Sequence, residues 1–291
     1  MRFAAGLALF AAVGTVPAAA QEGPQRVNWF LKGLHTGLCV DFLVSPAAAA
    51  GHFDHGALPT PIESLATRLP ALARVAQSEE AYHGWIPARY CWYLYREAVV
   101  NGRRVQLSGG RQPVGVGYLA IAGTALPDSA EALVVTLFTN SGALARVVED
   151  AQLRIEEIDL TIGLIPTLED SPTEHRYLAK HGRTTVQWDG GPGASRPPES
   201  IFLRLAGFTK GNAFRGIRSS FAPDSAFVAS GNLRVTGQGQ VQTLMATSPI
   251  RLVTSFLRGG WTSSPRSASH HCSGRVTSAV TTFIRSLNGA K

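Results

Sequence analysis

The chain has 291 residues, with 27 Lys and Arg against 20 Asp and Glu, and is 45% hydrophobic and 16% charged. That balance excludes a disordered polyelectrolyte, and three cysteines are too few for a disulfide-dense miniprotein. The net charge of +7 is carried almost wholly by arginine, because lysine occurs only at Lys32, Lys180, Lys210 and Lys291.

The first element is a targeting segment. Met1-Arg2 gives a short positive start, Phe3 to Val16 is uncharged and apolar or small, and Ala18-Ala19-Ala20 fits a small-residue cleavage site. The run is shorter than the roughly 20 residues a bilayer span takes, and no second run of that length follows. The expectation is a signal peptide over 1–20, a mature chain from Gln21 and a periplasmic or secreted location. No transmembrane anchor remains after cleavage.

Gly37 to Val44 reads as a strand and Ala47 to Pro59 as a loop. Thr60-Pro61-Ile62-Glu63 reads as a helix start with a capping box. Leu65, Leu69, Leu72 and Ala76 continue an apolar stripe that Pro70 interrupts, which predicts a kink or a second short helix. Tyr90 to Val100 is aromatic and β-branched. Asn101-Gly102 then predicts a tight hairpin into Arg103 to Leu107. Val114 to Ala122 and Leu133 to Phe138 read as strands, followed by a helix capped by Asn140 or Ser141. Leu153 to Leu164 alternates, with a phase slip at Glu156-Glu157 that suggests a bulge. Arg183 to Trp188 is a strand, and 189–200 reads as a flexible internal loop. Ile201 to Phe208 and Ala226 to Thr236 continue the strand pattern. Ile250, Val253, Phe256 and Leu257 suggest a helix begun at Ser248-Pro249, and Val280, Phe283, Ile284 and Leu287 a last one. Strands do not alternate with long helices. The fold class is therefore α+β, a single domain over 21–291 with a mainly antiparallel, curved sheet and three or four short helices.

Three groups of residues bear on chemistry. Trp85, Tyr90, Trp92, Tyr93 and Tyr95 form a dense aromatic stretch. Alternation puts Tyr90 and Trp92 on one strand face and Tyr93 and Tyr95 on the other. This reads either as a central strand buried on both sides or as the wall of a pocket for a small apolar or sugar-like ligand. His52, Asp54 and His55 lie together in a glycine-flanked stretch, and His270 and His271 in a polar one. Brought together, they would hold a divalent metal, the one cofactor the sequence suggests, and would support a metal-dependent hydrolase. The third group is the cysteines. One disulfide plus one thiol is the simplest arithmetic in an oxidising compartment. Cys39 and Cys91, both in strand-like segments, are the expected pair, with three unpaired cysteines as the alternative.

Charge is uneven along the chain. Eight acids and one base, Arg154, lie between Glu149 and Glu174, and no acid follows Asp224. An internal match between basic tail and acidic middle is the expected reading, with weak attraction to anionic surfaces as the other. The bases are spread out and not interleaved with aromatics, so no nucleic-acid partner is expected. There is no Gly-x-Ser-x-Gly, phosphate loop or dinucleotide fingerprint. The function read from these features is a non-enzymatic ligand-binding or envelope-associated protein.

From Leu133 to Gly163 a strand leads to a short helix and then a strand. Gly231 to Phe256 later gives a strand followed by Thr247-Ser248-Pro249-Ile250. This order resembles the β-cone of the acetoacetate decarboxylase family. The resemblance implies a curved antiparallel sheet. It also implies a Schiff-base lysine in the segment just after the short helix, where this sequence has no lysine.

Expression in a bacterial host should give an extracytoplasmic protein whose intact mass corresponds to a start near Gln21. Full-length chain retained in the cytoplasm would contradict the signal.

Overall fold

A computed structural model describes residues 27–53, 56–100, 103–105, 114–126, 130–150, 155–165, 174–196, 204–208, 214–219, 226–248, 251–257 and 277–282. Strand β1 (Val27–Val44) leads into helix α1 (Pro46–Ala50) and the short β2 (Leu58–Pro59). A 3-10 turn (Ile62–Leu65) and α2 (Pro70–Ser78) precede β3 (Ile86–Val100), β4 (Arg103–Val105), β5 (Val114–Thr124) and β6 (Ala132–Thr139). Helix α3 (Gly142–Asp150) is followed by β7 (Glu156–Glu157), β8 (Asp159–Ile165), β9 (Glu174–His181) and β10 (Thr184–Arg196). The remaining elements are β11 (Arg204–Phe208), β12 (Phe214–Ser219), β13 (Ala226–Gly237), α4 (Gln240–Ala246), β14 (Arg251–Leu257) and β15 (Thr277–Thr282).

The strands form one mostly antiparallel system in the order β4-β3-β5-β6-β11-β12-β15-β1-β14-β13-β10-β9-β8. Among the described residues, only β6 with β11 and β6 with β7 pair in parallel. Strand β1 is long enough to serve both edges. It pairs β3 from Trp29 to Val44 on one side, and β15 and then β14 on the other. The strand order therefore turns back on itself through β1, and the arm from β14 to β8 curls across the face of β3 and β6. Trp92 of β3 meets Tyr177 of β9 at 4.8 Å between ring centroids, though these strands are far apart in sheet order. The expected α+β, curved, mainly antiparallel architecture is observed. No helix among the described residues is long and apolar enough to cross a membrane.

Several local expectations hold. Val100 pairs with Arg103, so β3 and β4 are antiparallel neighbours as expected; Asn101-Gly102 lie outside the described residues. Ser141 caps α3, its Oγ accepting from the Leu144 amide at 3.3 Å. Pro70 opens a separate helix, α2, whose Leu72, Ala73 and Ala76 are buried.

Others are corrected. Thr60 does not cap, and its buried hydroxyl has no hydrogen-bond partner. Glu63 accepts instead from the Gly84 amide at 2.9 Å, so the capping box is not formed. The phase slip at Glu156-Glu157 is a change of partner and not a bulge. β7 pairs β6, then the chain crosses at Ile158 and β8 pairs β9. The loop expected over 189–200 is strand up to Arg196. There the glycine-rich run pairs β13 with a register shift between Pro192 and Ser195; 197–200 lie outside the described residues. The helix expected from Ser248 is strand β14, because β1 and β13 both offer it backbone partners. A short apolar run with two β-branched neighbours, Val253 and Thr254, fits either period until such partners exist. Thr277 to Thr282 is likewise strand, paired with β1, where a helix was expected to begin at Val280. Helix α1 falls where a loop was expected, and α4 in the stretch between Thr236 and Ser248 to which no element was assigned.

Cys39 and Cys91 are directly opposed on β1 and β3 and are joined as a disulfide, as expected. The bond closes a sequence separation of 52 residues. Chain entropy alone gives such a loop a stabilisation of about 4 kcal/mol. Under non-reducing, denaturing conditions one thiol per chain should react, and a peptide map should join Cys39 to Cys91. A Cys39→Ala/Cys91→Ala variant should unfold at lower denaturant by a comparable amount. Three reactive thiols would overturn the pairing.

Candidate functional site between the sheets

Side chains two apart on β3 share a face. Tyr90 and Trp92 point toward β9 and β10, where the inward positions are Tyr177, Ala179 and His181 on β9 and Thr184, Val186 and Trp188 on β10. The result is a buried aromatic layer. Tyr177 lies 5.1 Å from Trp188, Tyr90 stacks on Phe138 of β6 at 5.3 Å, and the His181 ring meets Phe138 edge-on at 4.6 Å. Gly117 of β5 makes room for this layer, since a Cβ there would run into the Phe138 ring and the Cys91 carbonyl.

The layer carries one polar chain. The Tyr90 hydroxyl and His181 Nε2 are hydrogen-bonded at 2.7 Å, both side chains being buried. His181 Nδ1 faces the Glu156 carboxylate at 3.5 Å and has no hydrogen-bond partner. Glu156 is 38% exposed, so the chain runs from solvent through His181 to a phenol with no exposure of its own. Burial, followed by the nearby Glu156 charge, pushes the Tyr90 phenol well above its ordinary value. Tyr90 is therefore a neutral hydrogen-bonding group at physiological pH. Two further buried polar atoms, Thr184 Oγ1 and Trp188 Nε1, also lack partners, and both sit on the inward face of β10.

The opposite face of β3 carries Arg89, Cys91, Tyr93 and Tyr95. Arg89 forms a two-pronged ion pair with Asp41 of β1, with Nε to Oδ1 at 2.5 Å and Nη2 to Oδ2 at 2.9 Å. Burial opposes the guanidinium charge, but the adjacent Asp41 carboxylate more than offsets this and holds Arg89 above its ordinary value. Tyr93 and Tyr118 are raised mainly by burial, and the Tyr93 hydroxyl lies 3.1 Å from Cys39 Sγ.

Among the expected ligand-binding residues, Tyr90 and Trp92 thus belong to the inter-sheet layer, and Tyr93 and Tyr95 to the face behind it. Trp85 precedes β3 and packs edge-on against Tyr82. Among the expected metal residues, His52 is half-buried, and burial lowers its pKa. Its Nδ1 lies 3.3 Å from Gln240 Nε2, which is placed to donate to it. Asp54, His55, His270 and His271 lie outside the described residues. No three His, Cys, Asp or Glu side chains converge among the described residues, so the metal-hydrolase reading finds no support there. His181 and Glu156 were not singled out in the sequence. The available signal was alternation: Tyr177, Ala179 and His181 put a histidine on the apolar face of a strand.

The chain matches no family model, and no curated protein matches it in sequence. In structure it is similar to an acetoacetate decarboxylase from Legionella pneumophila subsp. pneumophila str. Philadelphia 1. The TM-score is 0.51 at 7% identity, over 89% of this chain and 87% of that one. It is also similar to an acetoacetate decarboxylase-like enzyme from Sphingomonas wittichii RW1. There the TM-score is 0.50 at 8% identity, over 91% of this chain and 94% of that one.

The fold is acetoacetate decarboxylase-like.

At these identities the likeness is one of fold alone. It agrees with the element order around α3, the short helix that β7 follows in this chain. On this decarboxylase-like scaffold, β7 carries two carboxylates.

Removing the Asp41 charge should show how much the β1–β3 face depends on its ion pair. Asp41→Asn should destabilise by about 3–5 kcal/mol in urea denaturation, because Arg89 is left buried without its counter-charge. Asp41→Leu combined with Arg89→Met should cost less than the single substitution. Equal costs would mean that the two charges do not act as a unit.

Proposed function

We propose that this protein is an exported, non-enzymatic binding protein that uses a decarboxylase-like scaffold without Schiff-base chemistry. The observation that carries this reading is the side chain at the interior edge of β7. It is a carboxylate, Glu156, set against His181, in a segment from Ala151 to Ile165 that contains no lysine. Schiff-base formation needs a neutral amine, obtained by burying a lysine or setting it beside another cation. Lys180 is exposed on β9, where its backbone pairs Asp159 and Thr185.

Two further features support export. The N-terminal segment has the order of a signal peptide, and a buried Cys39–Cys91 disulfide suits an oxidising compartment. The ligand we infer is small and largely apolar or sugar-like, with an acceptor group. Aromatic rings favour such a body, and the Trp188 indole N–H and Thr184 hydroxyl are buried donors that an acceptor would satisfy.

Tryptophan fluorescence tests this directly, because Trp92 and Trp188 both lie in the layer. Titration with a panel of monosaccharides and small aromatic carboxylates should give a saturable change that Trp188→Phe reduces. Borohydride treatment with pyruvate or acetoacetate should leave the intact mass unchanged. A lysine adduct or turnover of a keto acid would overturn the non-enzymatic reading. A panel without any saturable response would overturn ligand binding in the layer.

A further inference from the structure

The Glu156–His181 pair is built differently from an ordinary buried ion pair. The imidazole is 6% exposed, yet its Nδ1 has no hydrogen-bond partner and faces Glu156 Oε2 at 3.5 Å. That is long for a charge-assisted hydrogen bond, which runs about 2.7–2.9 Å. It is close to the separation of two ligands on one tetrahedral zinc ion. Bonds of about 2.1 Å place such ligands roughly 3.4 Å apart.

The other ring nitrogen is fixed. Nε2 is hydrogen-bonded to the Tyr90 hydroxyl at 2.7 Å, and in the tautomer where Nε2–H donates to Tyr90 O the Nδ1 lone pair faces the carboxylate. A metal-ligating histidine characteristically gives its second N–H to a fixed acceptor in this way. Both signs of charge lie nearby, with the acids on the Glu156 side. Glu157 and Asp159 are exposed beside Glu156, Lys180 is exposed on β9 next to His181, and Thr184 opposite His181 on β10 is uncharged.

We propose that Glu156 Oε2 and His181 Nδ1 bind a divalent cation of the zinc class, with Tyr90 as the positioning residue. Among the described residues no three His, Cys, Asp or Glu side chains converge, so the two ligands named are those the described residues offer, and water would fill the remaining positions. The cation would enter at the exposed carboxylate, and its charge would satisfy the buried imidazole nitrogen. The pair includes none of His52, Asp54, His55, His270 and His271, and the proposal does not depend on the ligand-binding reading.

The test is calorimetric titration of chelator-treated mature protein with Zn2+, alongside the visible absorption spectrum of the Co2+-loaded protein. The wild type should bind one ion whose cobalt spectrum shows nitrogen and oxygen ligation. Glu156→Gln and His181→Asn should each weaken binding at least tenfold. Tyr90→Phe should weaken it roughly 10–100-fold while both ligands remain. Affinity should be unchanged in His52→Ala and in His270→Ala/His271→Ala. Glu156 is partly exposed, so Glu156→Gln remains informative even if His181→Asn fails to fold. Unchanged affinity in Glu156→Gln, loss of binding in His270→Ala/His271→Ala, or no binding by the wild type would each overturn the site.

Discussion

The rest of the structure depends on the pairing of β1 with β3. It is the longest ladder among the described residues, running from Trp29 opposite Val100 to Val44 opposite Ile86. Because β1 also pairs β14 and β15 on its other edge, both arms of the sheet system are hung from one strand. The ladder is fastened covalently by Cys39–Cys91 and electrostatically by Asp41 and Arg89, which are register partners two positions further along. A bridged pair fixes register, and a one-residue slip would exchange the two faces of every following position. The ion pair adds a penalty for any register that leaves either charge buried alone.

With that register set, β3 presents two unlike faces. One carries the Arg89 fork and the Tyr93 and Tyr118 phenols, a polar cluster sealed in the sheet. The other carries Tyr90 and Trp92 to the inter-sheet layer, where β9 and β10 supply Tyr177, His181 and Trp188. Close packing of rings over Gly117 and over Gly37, where a Cβ would lie 2.6 Å from the Tyr93 ring, lets bulky side chains occupy both faces of a central strand. The polar atoms that remain unpaired in the layer gather on β9 and β10, the strands that cross over β3. They are the places where a small ligand or an ion would lower the energy of the fold, since a buried polar group without a partner costs roughly 1–3 kcal/mol.

A scaffold and the chemistry carried on it are separable. A fold positions a short segment after α3 at the edge of the layer, but what that segment can do depends on its side chains. A carboxylate and an imidazole joined to a phenol can hold a cation or pass a proton. They cannot form an imine with a carbonyl compound, which needs a nucleophilic amine.

By itself the sequence determined the strands whose signal is local. Alternation and β-branched or aromatic content marked β1, β3, β5, β6 and β13, Asn101-Gly102 marked the β3–β4 hairpin, and Ser141 marked the start of α3. It also singled out the Cys39–Cys91 pair, because both cysteines lie in strand-like runs. Periodicity over seven residues could not separate a helix from a strand at Arg251 to Leu257, where the deciding hydrogen bonds come from β1, some 200 residues away. Nor could it show that the glycines after Asp189 continue a strand, because β13 supplies the pairing that their composition does not suggest. The Glu156–His181–Tyr90 chain was the least legible feature. Its members are far apart in sequence, and each is unremarkable alone. Only the curl of the sheet that lays β9 over β3, and the switch of partner at Ile158 that turns Glu156 toward β9, brings an acid, an imidazole and a phenol into one line.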